Sequence, residues 1–282
     1  MAAFKTLLVA VADTPSARHA SGQGIALAAS AGADLVGVSV CPPYEGTMNR
    51  LHITDMRERI EGPLRSLLAE FKTMADKAGV PCRPLLVPGR TYEAIADTAE
   101  EEKADLIVLG TEKRSRLERS LLGATEERVI GFAQCPVLVI PEGANVDFSR
   151  ILLATDGSKE VEKASNTAIG LAGTYGGALR AVSVVDVPDN YRLWENVMKE
   201  NIGYARSCVD KVAQAGQESS LAVEATVIEG EAAETIVQTA EEGKSTLIVM
   251  GTHGRTGIKR LMMGGVAVGV LRRSTIPVLV VP

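Results

Sequence analysis

The sequence predicts two consecutive α/β domains, each built on a parallel β-sheet with helices on both faces. Three observations predict this fold class. The chain repeats itself, each repeat alternates short apolar runs with longer amphipathic segments, and aromatic residues are only 4% of a chain that is 46% hydrophobic. A core of Val, Leu, Ile and Ala suits parallel strands that are buried on both faces. Because domains usually have about 100–200 residues, a length of 282 residues also fits two of them.

The internal repeat covers most of the chain. Residues 5–40 match residues 149–184 at 12 of 36 positions, and residues 89–141 match residues 230–282 at 22 of 53 positions. Chance matching at ordinary composition gives roughly 7%. The shifts of 144 and 141 mean that the second half lacks three residues. We therefore predict domains at 1–141 and 149–282, joined by a short, mostly polar linker at 142–149.

The predicted elements follow the same order in both halves. In the first half, strands are predicted at 6–11, 34–40, 82–87, 106–109 and 137–140. In the second half, strands are predicted at 151–155, 178–185, 222–228, 246–250 and 278–281, with helices at 161–175, 192–215, 232–242 and 266–273. The strands are nearly continuous apolar runs, as is typical of doubly buried strands. Strand–helix alternation with right-handed crossovers then gives an open, doubly wound parallel sheet.

Three glycines in the second half follow the predicted helices. Gly176, Gly216 and Gly243 stand where a left-handed helix cap favours glycine, so each is predicted to be a C-terminal cap.

Composition excludes several classes of protein. The net charge is −5, which argues against nucleic acid as the main partner. No run of 18 apolar residues occurs, so no membrane span is predicted. The apolar stretch at 7–12 is short and ends at Asp13, which is unlike a secretory signal. The cysteines lack CxxC spacing and are predicted to be reduced thiols of a cytoplasmic protein; they are Cys41, Cys82, Cys135 and Cys208.

Glycines and one carboxylate follow two strands of the second half. In open parallel sheets, ligands bind outside the carboxyl ends of the strands, where the strand order reverses. Asp156 follows the first strand, and the spacing Gly251-x2-Gly254-x9-Gly264 follows the fourth. The pair Gly264-Gly265 opens a helix, whose free N–H groups and dipole attract phosphate. A carboxylate accepts hydrogen bonds from ribose hydroxyls, so the pattern predicts a nucleotide site.

Residues 251–281, with the sequence GTHGRTGIKRLMMGGVAVGVLRRSTIPVLVV, resemble the signature of universal stress proteins. ATP-binding members of that family carry G-x2-G-x9-G-[ST] and an aspartate after the first strand. The resemblance covers both halves and implies two five-stranded sheets of order 3-2-1-4-5, with the last strands paired between domains. It also implies homodimers, a role in the stress response, and bound ATP, AMP or ADP, with or without magnesium.

The resemblance also implies a role for each residue of the site. Asp156 would hold the ribose, the backbone of Val184 would meet adenine, and the glycines with Val266 would line the ribose and phosphates. The predicted binding residues are Ala154, Thr155, Asp156, Val184, Met250, Gly251, Gly254, Arg255, Gly264, Gly265 and Val266.

One position of the second half departs from the family pattern. Gly265 stands where the family has Ser or Thr, so one hydroxyl is lost. A net hydrogen bond is worth roughly 0.5–1.5 kcal/mol, which is about two- to twelve-fold in affinity. We therefore expect weakened rather than abolished binding, which Arg255 and Lys259 would partly offset if they point at the phosphates.

The first half departs further from the same pattern. Ala12 aligns with Asp156 and has Asp13 one residue later, Lys113 aligns with Gly254, and Ala124 aligns with Gly265. Of the glycine set only two members remain, Gly110 and Gly123. The prediction is one nucleotide per chain, bound in the second half. The alternative is that the first half binds a different anion through Lys113, Arg114 and Arg116.

No enzyme chemistry emerges from the sequence. We find no nucleophile–base pair or carboxylate pair at a defensible spacing, and His19, His52 and His253 lack metal-ligand spacing among themselves. His253 is expected to be a solvated loop residue rather than a catalytic base, and Trp194 to pack rather than stack on a ligand. Two rival functions stay open: an interaction module that binds no nucleotide and has an unknown protein partner, and a slow ATPase.

Overall fold

The computed structural model describes residues 4–43, 56–112, 124–186, 195–253 and 263–282. Strands and helices alternate through both halves. The elements of the first half are β1 Thr6–Ala10, α1 Pro15–Ala31, β2 Asp34–Cys41, α2 Met56–Lys77, β3 Cys82–Pro88, α3 Thr91–Glu101, β4 Leu106–Thr111, α4 Ala124–Phe132 and β5 Val137–Pro141. Those of the second half are β6 Arg150–Ala154, α5 Lys159–Tyr175, β7 Ala178–Val185, α6 Glu195–Glu218, β8 Val223–Glu229, α7 Ala232–Glu242, β9 Leu247–Gly251, α8 Gly265–Arg273 and β10 Val278–Val281.

The strands form one ten-stranded sheet of order β3-β2-β1-β4-β5-β10-β9-β6-β7-β8. Neighbouring strands within each half are parallel. Each half has the order 3-2-1-4-5 that the resemblance implied. At the centre, β5 and β10 are antiparallel, and Leu138 lies opposite Leu279. The predicted pairing of the two last strands within one chain is therefore confirmed.

Two apolar layers, one on each face of the sheet, run through both halves. Helices α1, α2, α5 and α6 contribute to one layer, which includes Phe71 and Val209. The other four helices contribute to the second layer, which includes Ile130 and Val270. Successive strand residues face opposite layers, so the residues of the central strands are mostly buried in one layer or the other. This explains why these strands read as continuous apolar runs. The edge strands β3 and β8 are half-buried or exposed along their length.

The helix ends agree only in part with the prediction that three glycines are C-terminal caps. Gly176 caps α5 with φ 67°, as predicted. Gly216 is not a cap, because α6 continues to Glu218 and the left-handed residue is Ser220 with φ 58°. A Cβ at Gly216 would strike the side chain of Val223. This glycine therefore permits close packing of the helix against the start of β8.

Gly243 is the C-cap of α7, as predicted, but it is not left-handed. It follows α7 with φ −75°, in the right-handed region, and the next residue, Lys244, is left-handed with φ 51°. The first half repeats this arrangement at Lys103, with φ 52°. A left-handed lysine therefore occupies the same place in both halves, between the end of a helix and the next strand.

The linker contacts both halves. The Gln23 side chain of α1 accepts a hydrogen bond from the Val146 N–H at 2.8 Å and donates one to Asn145 at 3.1 Å. Phe148 is buried and stacks on Tyr175 of α5, with the ring centroids 4.5 Å apart. The junction is therefore packed against the two domains rather than extended between them.

The four cysteines are unpaired. Cys135 is only partly buried, and burial raises the pKa of its thiol to about 11. Among the described residues, no helix combines the length and apolar character that a membrane crossing requires.

Candidate functional site

A cavity of about 410 Å³ opens at the carboxyl edge of the second-half sheet. It lies at the ends of β6, β7 and β9, beside the beginning of α8. The strand order reverses here, because β6 lies between β7 and β9. The volume falls within the range of about 300–1,000 Å³ typical of small-molecule sites.

The cavity brings together nine of the eleven residues predicted from the sequence. They are Ala154, Thr155, Asp156, Val184, Met250, Gly251, Gly264, Gly265 and Val266. Gly254 and Arg255 lie outside the described residues, as does Lys259.

The turn after β6 presents Asp156 to the cavity. The Asp156 carboxylate accepts the Ser158 N–H at 3.0 Å, and the Thr155 hydroxyl accepts the Gly157 N–H at 3.3 Å. Gly157 has φ 73°, a left-handed conformation that a side chain would strain. These features fix the direction of the turn and keep the half-buried Asp156 at the edge of the cavity.

The beginning of α8 forms another part of the wall. The first hydrogen bond of this helix joins the Val268 N–H to the Gly264 carbonyl at 3.1 Å. The N–H groups of Gly265 and Val266 therefore have no carbonyl partner within the helix. None of the described side chains caps this end, and its first turn carries no acidic residue. The positive end of the helix dipole is thus available to an anion.

Sequence reasoning missed several residues of the cavity, because it considered only the family motif and the aspartate after the first strand. Helix α6 contributes Asn201, Tyr204 and Ala205, and the end of β7 contributes Val185 and Asp186. The further lining residues that were missed are Val161, Val182, Ser183, Ala232, Ile236, Thr252, His253 and Ala267. One signal in the sequence could have indicated the α6 residues. The two halves differ there, because α6 has polar residues where α2 has apolar ones.

His253 differs from the expectation of a solvated loop residue. It lines the cavity and is only partly exposed, and its Nδ1 lies 3.0 Å from the Thr252 hydroxyl. Across the described ranges, no cluster of three or more His, Cys, Asp and Glu residues has an arrangement that could hold a metal.

The corresponding turn of the first half carries a different set of contacts. Ala12 occupies the Asp156 position, and the Asp13 carboxylate is exposed and accepts two hydrogen bonds from Arg18, at 2.8 and 3.1 Å. Arg18 also donates to Glu70 at 3.0 Å. The nearest carboxylate of this half is therefore held by an ion pair on the surface. Lys113, Arg114, Arg116 and Gly123 lie outside the described residues.

Comparison with known proteins identifies the family. The model of the universal stress protein family matches residues 3–141 and, a second time, residues 147–282. The chain belongs to the universal stress protein family. A universal stress protein of Methanocaldococcus jannaschii is 34% identical over 148 residues, which cover 51% of this chain and 86% of that protein. One of Synechocystis is 29% identical over 188 residues, covering 66% of this chain and 61% of that protein.

A solved structure supports the tandem fold of this universal stress protein. The crystal structure of a universal stress protein from Archaeoglobus fulgidus superposes with a TM-score of 0.75, at 20% sequence identity, over 98% of this chain and 97% of that one. At this identity the likeness concerns the fold alone.

Proposed function

We propose that the second half of this universal stress protein binds one adenine nucleotide, and that nucleotide occupancy regulates its role in the stress response. The nucleotide is ATP, or AMP or ADP, with or without magnesium. The observation that carries the proposal is that Asp156 and the uncapped beginning of α8 line one cavity of about 410 Å³.

The residues of the cavity fit the chemistry of a nucleotide. The N–H groups of Gly265 and Val266 would receive phosphate oxygens at the positive end of α8. The Asp156 carboxylate would accept hydrogen bonds from ribose hydroxyls. Apolar side chains, including Ile236 and Ala205, supply the wall against which a flat base packs. An anion-attracting end and a sugar-binding carboxylate in one cavity favour a nucleotide over a simple anion.

The contrast between the halves supports a stoichiometry of one nucleotide per chain. The Asp156 carboxylate is replaced by Ala12, and Asp13 is engaged by Arg18. At the Gly254 position the first half has Lys113. The loss of about two hydrogen bonds together with a steric obstacle costs roughly 3 kcal/mol or more, over a hundred-fold in affinity.

Calorimetric titration with ATP tests the proposal. We expect one site per chain, and we expect Gly254→Lys, which copies Lys113 into the second half, to remove it while the circular dichroism spectrum stays unchanged. The matched first-half variant is Lys113→Gly, for which the titration should still give one ATP site per chain. Two equivalent sites per chain, or a site that survives Gly254→Lys, would contradict the stoichiometry.

Mass spectrometry of the ligand released from purified protein tests the identity of the nucleotide. Bound ATP, ADP or AMP supports the proposal. Absence of any nucleotide in the purified protein and in the titration would favour the interaction-only alternative. We also propose that the protein is cytoplasmic, as expected from its scattered cysteines. Whole chains are proposed to associate into dimers.

A further inference from the structure

Two polar side chains of α6, Asn201 and Tyr204, line the cavity opposite the strand ends. They are three residues apart, so they lie on the same face of the helix. Both residues are exposed at the mouth of the cavity, and Tyr204 has 42% of its surface accessible. A large aromatic side chain with this exposure, at the edge of a cavity, presents ring surface to whatever enters.

The position of Tyr204 is fixed relative to the Asp156 turn. A Cβ placed at Gly157 would lie 3.2 Å from the Tyr204 hydroxyl oxygen and would collide with the Cys208 sulfur, one turn further along α6. Helix α6 therefore packs directly on the turn, and Gly157 permits this approach. The Tyr204 hydroxyl therefore lies beside the Asp156 turn, and the same residue lines the cavity.

The Asn201 side chain has a different position and chemistry. It lies one turn nearer the beginning of α6 than Tyr204 and also lines the cavity. Among the residues that the structure describes, none forms a hydrogen bond with the Asn201 amide. Its N–H donors and its carbonyl acceptor are therefore both available to a ligand.

The first half lacks both side chains. At the shift of 141, Asn201 and Tyr204 correspond to Ile60 and Pro63. The register is supported by the left-handed residues that follow the two helices, Gly79 and Ser220, which are separated by the same shift. Neither an isoleucine nor a proline can read the edge of a base or stack as an aromatic ring.

We propose that Asn201 and Tyr204 determine the base specificity of the cavity, with Tyr204 stacking on the base and Asn201 reading its edge. This inference rests on the proposed nucleotide function. An asparagine amide pairs with the adjacent N6 donor and N7 acceptor of adenine through two hydrogen bonds. In hypoxanthine, the base of inosine triphosphate, a carbonyl oxygen replaces the amine, so one of the two bonds is lost.

Comparison of ATP with inosine triphosphate tests Asn201. A bidentate amide–adenine contact corresponds to a preference of about 5- to 160-fold, so the parent protein should bind ATP more tightly by a factor in that range. Asn201→Ala should bring the ratio of the two affinities close to one. Asn166→Ala, on the exposed face of α5, is the matched control and should leave the ratio unchanged.

Stacking on Tyr204 should contribute equally to the affinities for ATP and for inosine triphosphate. Stacking on an aromatic side chain is worth about 5- to 160-fold per base. Tyr204→Leu should therefore weaken ATP and inosine triphosphate by a similar factor, with their ratio preserved, while Tyr204→Phe should bind both within about twofold of the parent. Because both positions are exposed, the thermal midpoint without nucleotide should be nearly unchanged in every variant.

The outcomes separate this inference from the proposed function. If the parent binds ATP and Asn201→Ala keeps the parent ratio, the reading of the base by Asn201 is wrong and the nucleotide function stands. If Tyr204→Leu binds both nucleotides as tightly as the parent, the stacking role is wrong. If the parent binds neither nucleotide, the proposed function and this inference are both overturned.

Discussion

Asp156 and Ala12 occupy the same position in the two halves, and the difference between them is the clearest single-residue distinction in the molecule. Asp156 lines a cavity and accepts the Ser158 N–H. The carboxylate one residue later in the first half, Asp13, is 78% exposed and paired with Arg18. The local fold is shared, so these side chains can be exchanged as matched variants.

Asp156→Ala should weaken ATP and AMP by the same factor, since the carboxylate is proposed to act on the sugar and not on the phosphates. A hydrogen bond to a charged group is worth about 1.5–3 kcal/mol, which is about 10- to 150-fold in affinity. Asp13→Ala is the control and should change neither affinity. If calorimetry shows that Asp156→Ala binds ATP as tightly as the parent does, the proposed contact between Asp156 and the ribose is wrong.

Gly265→Ser should tighten the binding of ATP by about two- to twelve-fold, because it restores one hydroxyl at the beginning of α8. Among the residues that the structure describes, a Cβ at this position meets no atom of another element within 4 Å, so we expect the side chain to be added without displacing the fold. Gly265→Ala adds the same Cβ without a hydroxyl and should give no gain. If Gly265→Ser and Gly265→Ala bind ATP equally tightly, any gain in affinity comes from the change in the helix and not from the hydroxyl.

The sequence could predict those site residues that follow strands, since Asp156 and the glycines stand at fixed distances from continuous apolar runs. It could not place Asn201 and Tyr204 at the cavity. Their approach depends on how closely α6 packs on Gly157, and that distance is set by tertiary contacts with Cys208. Local pattern carries no information on such a contact between elements that are distant in the sequence.

Among the elements, the ten strands of the sheet appear where the apolar runs predict them. The signal is strongest in the central strands, which are buried on both faces, and weaker in the edge strands β3 and β8, which contain charged residues. The helix ends were less predictable. Gly216 serves close packing against Val223, and the left-handed residues after α6 and α7 are Ser220 and Lys244. A glycine near a helix end indicates a cap only when no neighbouring strand requires the missing side chain.

The beginnings of α1 and α5 differ in a way that stability measurements can detect. The Thr14 hydroxyl accepts the Ala17 N–H at 3.2 Å and caps α1. The Ser158 hydroxyl at the start of α5 makes no capping bond and is buried, with no hydrogen-bond partner in the part of the chain that the structure describes. The same kind of side chain therefore stabilises one helix and not the other.

Thr14→Ala should lower the free energy of unfolding by about 1 kcal/mol, because a capping hydrogen bond is lost. Ser158→Ala should change it by less than about 0.5 kcal/mol or raise it, since a buried hydroxyl without a partner is removed. Urea titration without nucleotide measures both variants. A larger loss for Ser158→Ala than for Thr14→Ala would mean that the serine hydroxyl makes a stabilising contact.

At the scale of the whole molecule, the two halves share one sheet and one pair of apolar layers. The antiparallel pairing of β5 with β10 joins the sheets, and the linker contacts α1 through Gln23 and α5 through the stacking of Phe148 on Tyr175. The halves are therefore joined by hydrogen bonds, apolar burial and linker packing together. The predicted consequence is that neither half unfolds alone.

Two native cysteines provide one probe for each half. Cys82 lies in β3, where burial raises the pKa of its thiol to about 11, and Cys208 lies in α6 and is 3% exposed. At pH 8 a thiol with a raised pKa is almost entirely protonated, and the thiolate is the reactive form. In the native state the Cys82 thiol should react slowly with an alkylating reagent because of its raised pKa, and the Cys208 thiol because it is buried. Each should react rapidly once its half has unfolded.

Pulsed alkylation across a urea gradient should give the same midpoint for Cys82 and Cys208, as expected for a single cooperative transition.

Phe148→Ala removes a buried ring at the junction and should lower the free energy of unfolding by about 3 kcal/mol. Because the sheet is continuous, it should move both midpoints to lower urea by the same amount. Mass spectrometry of the two labelled peptides makes the measurement. A midpoint for Cys208 that shifts while that of Cys82 stays in place would show that the shared sheet does not couple the two halves.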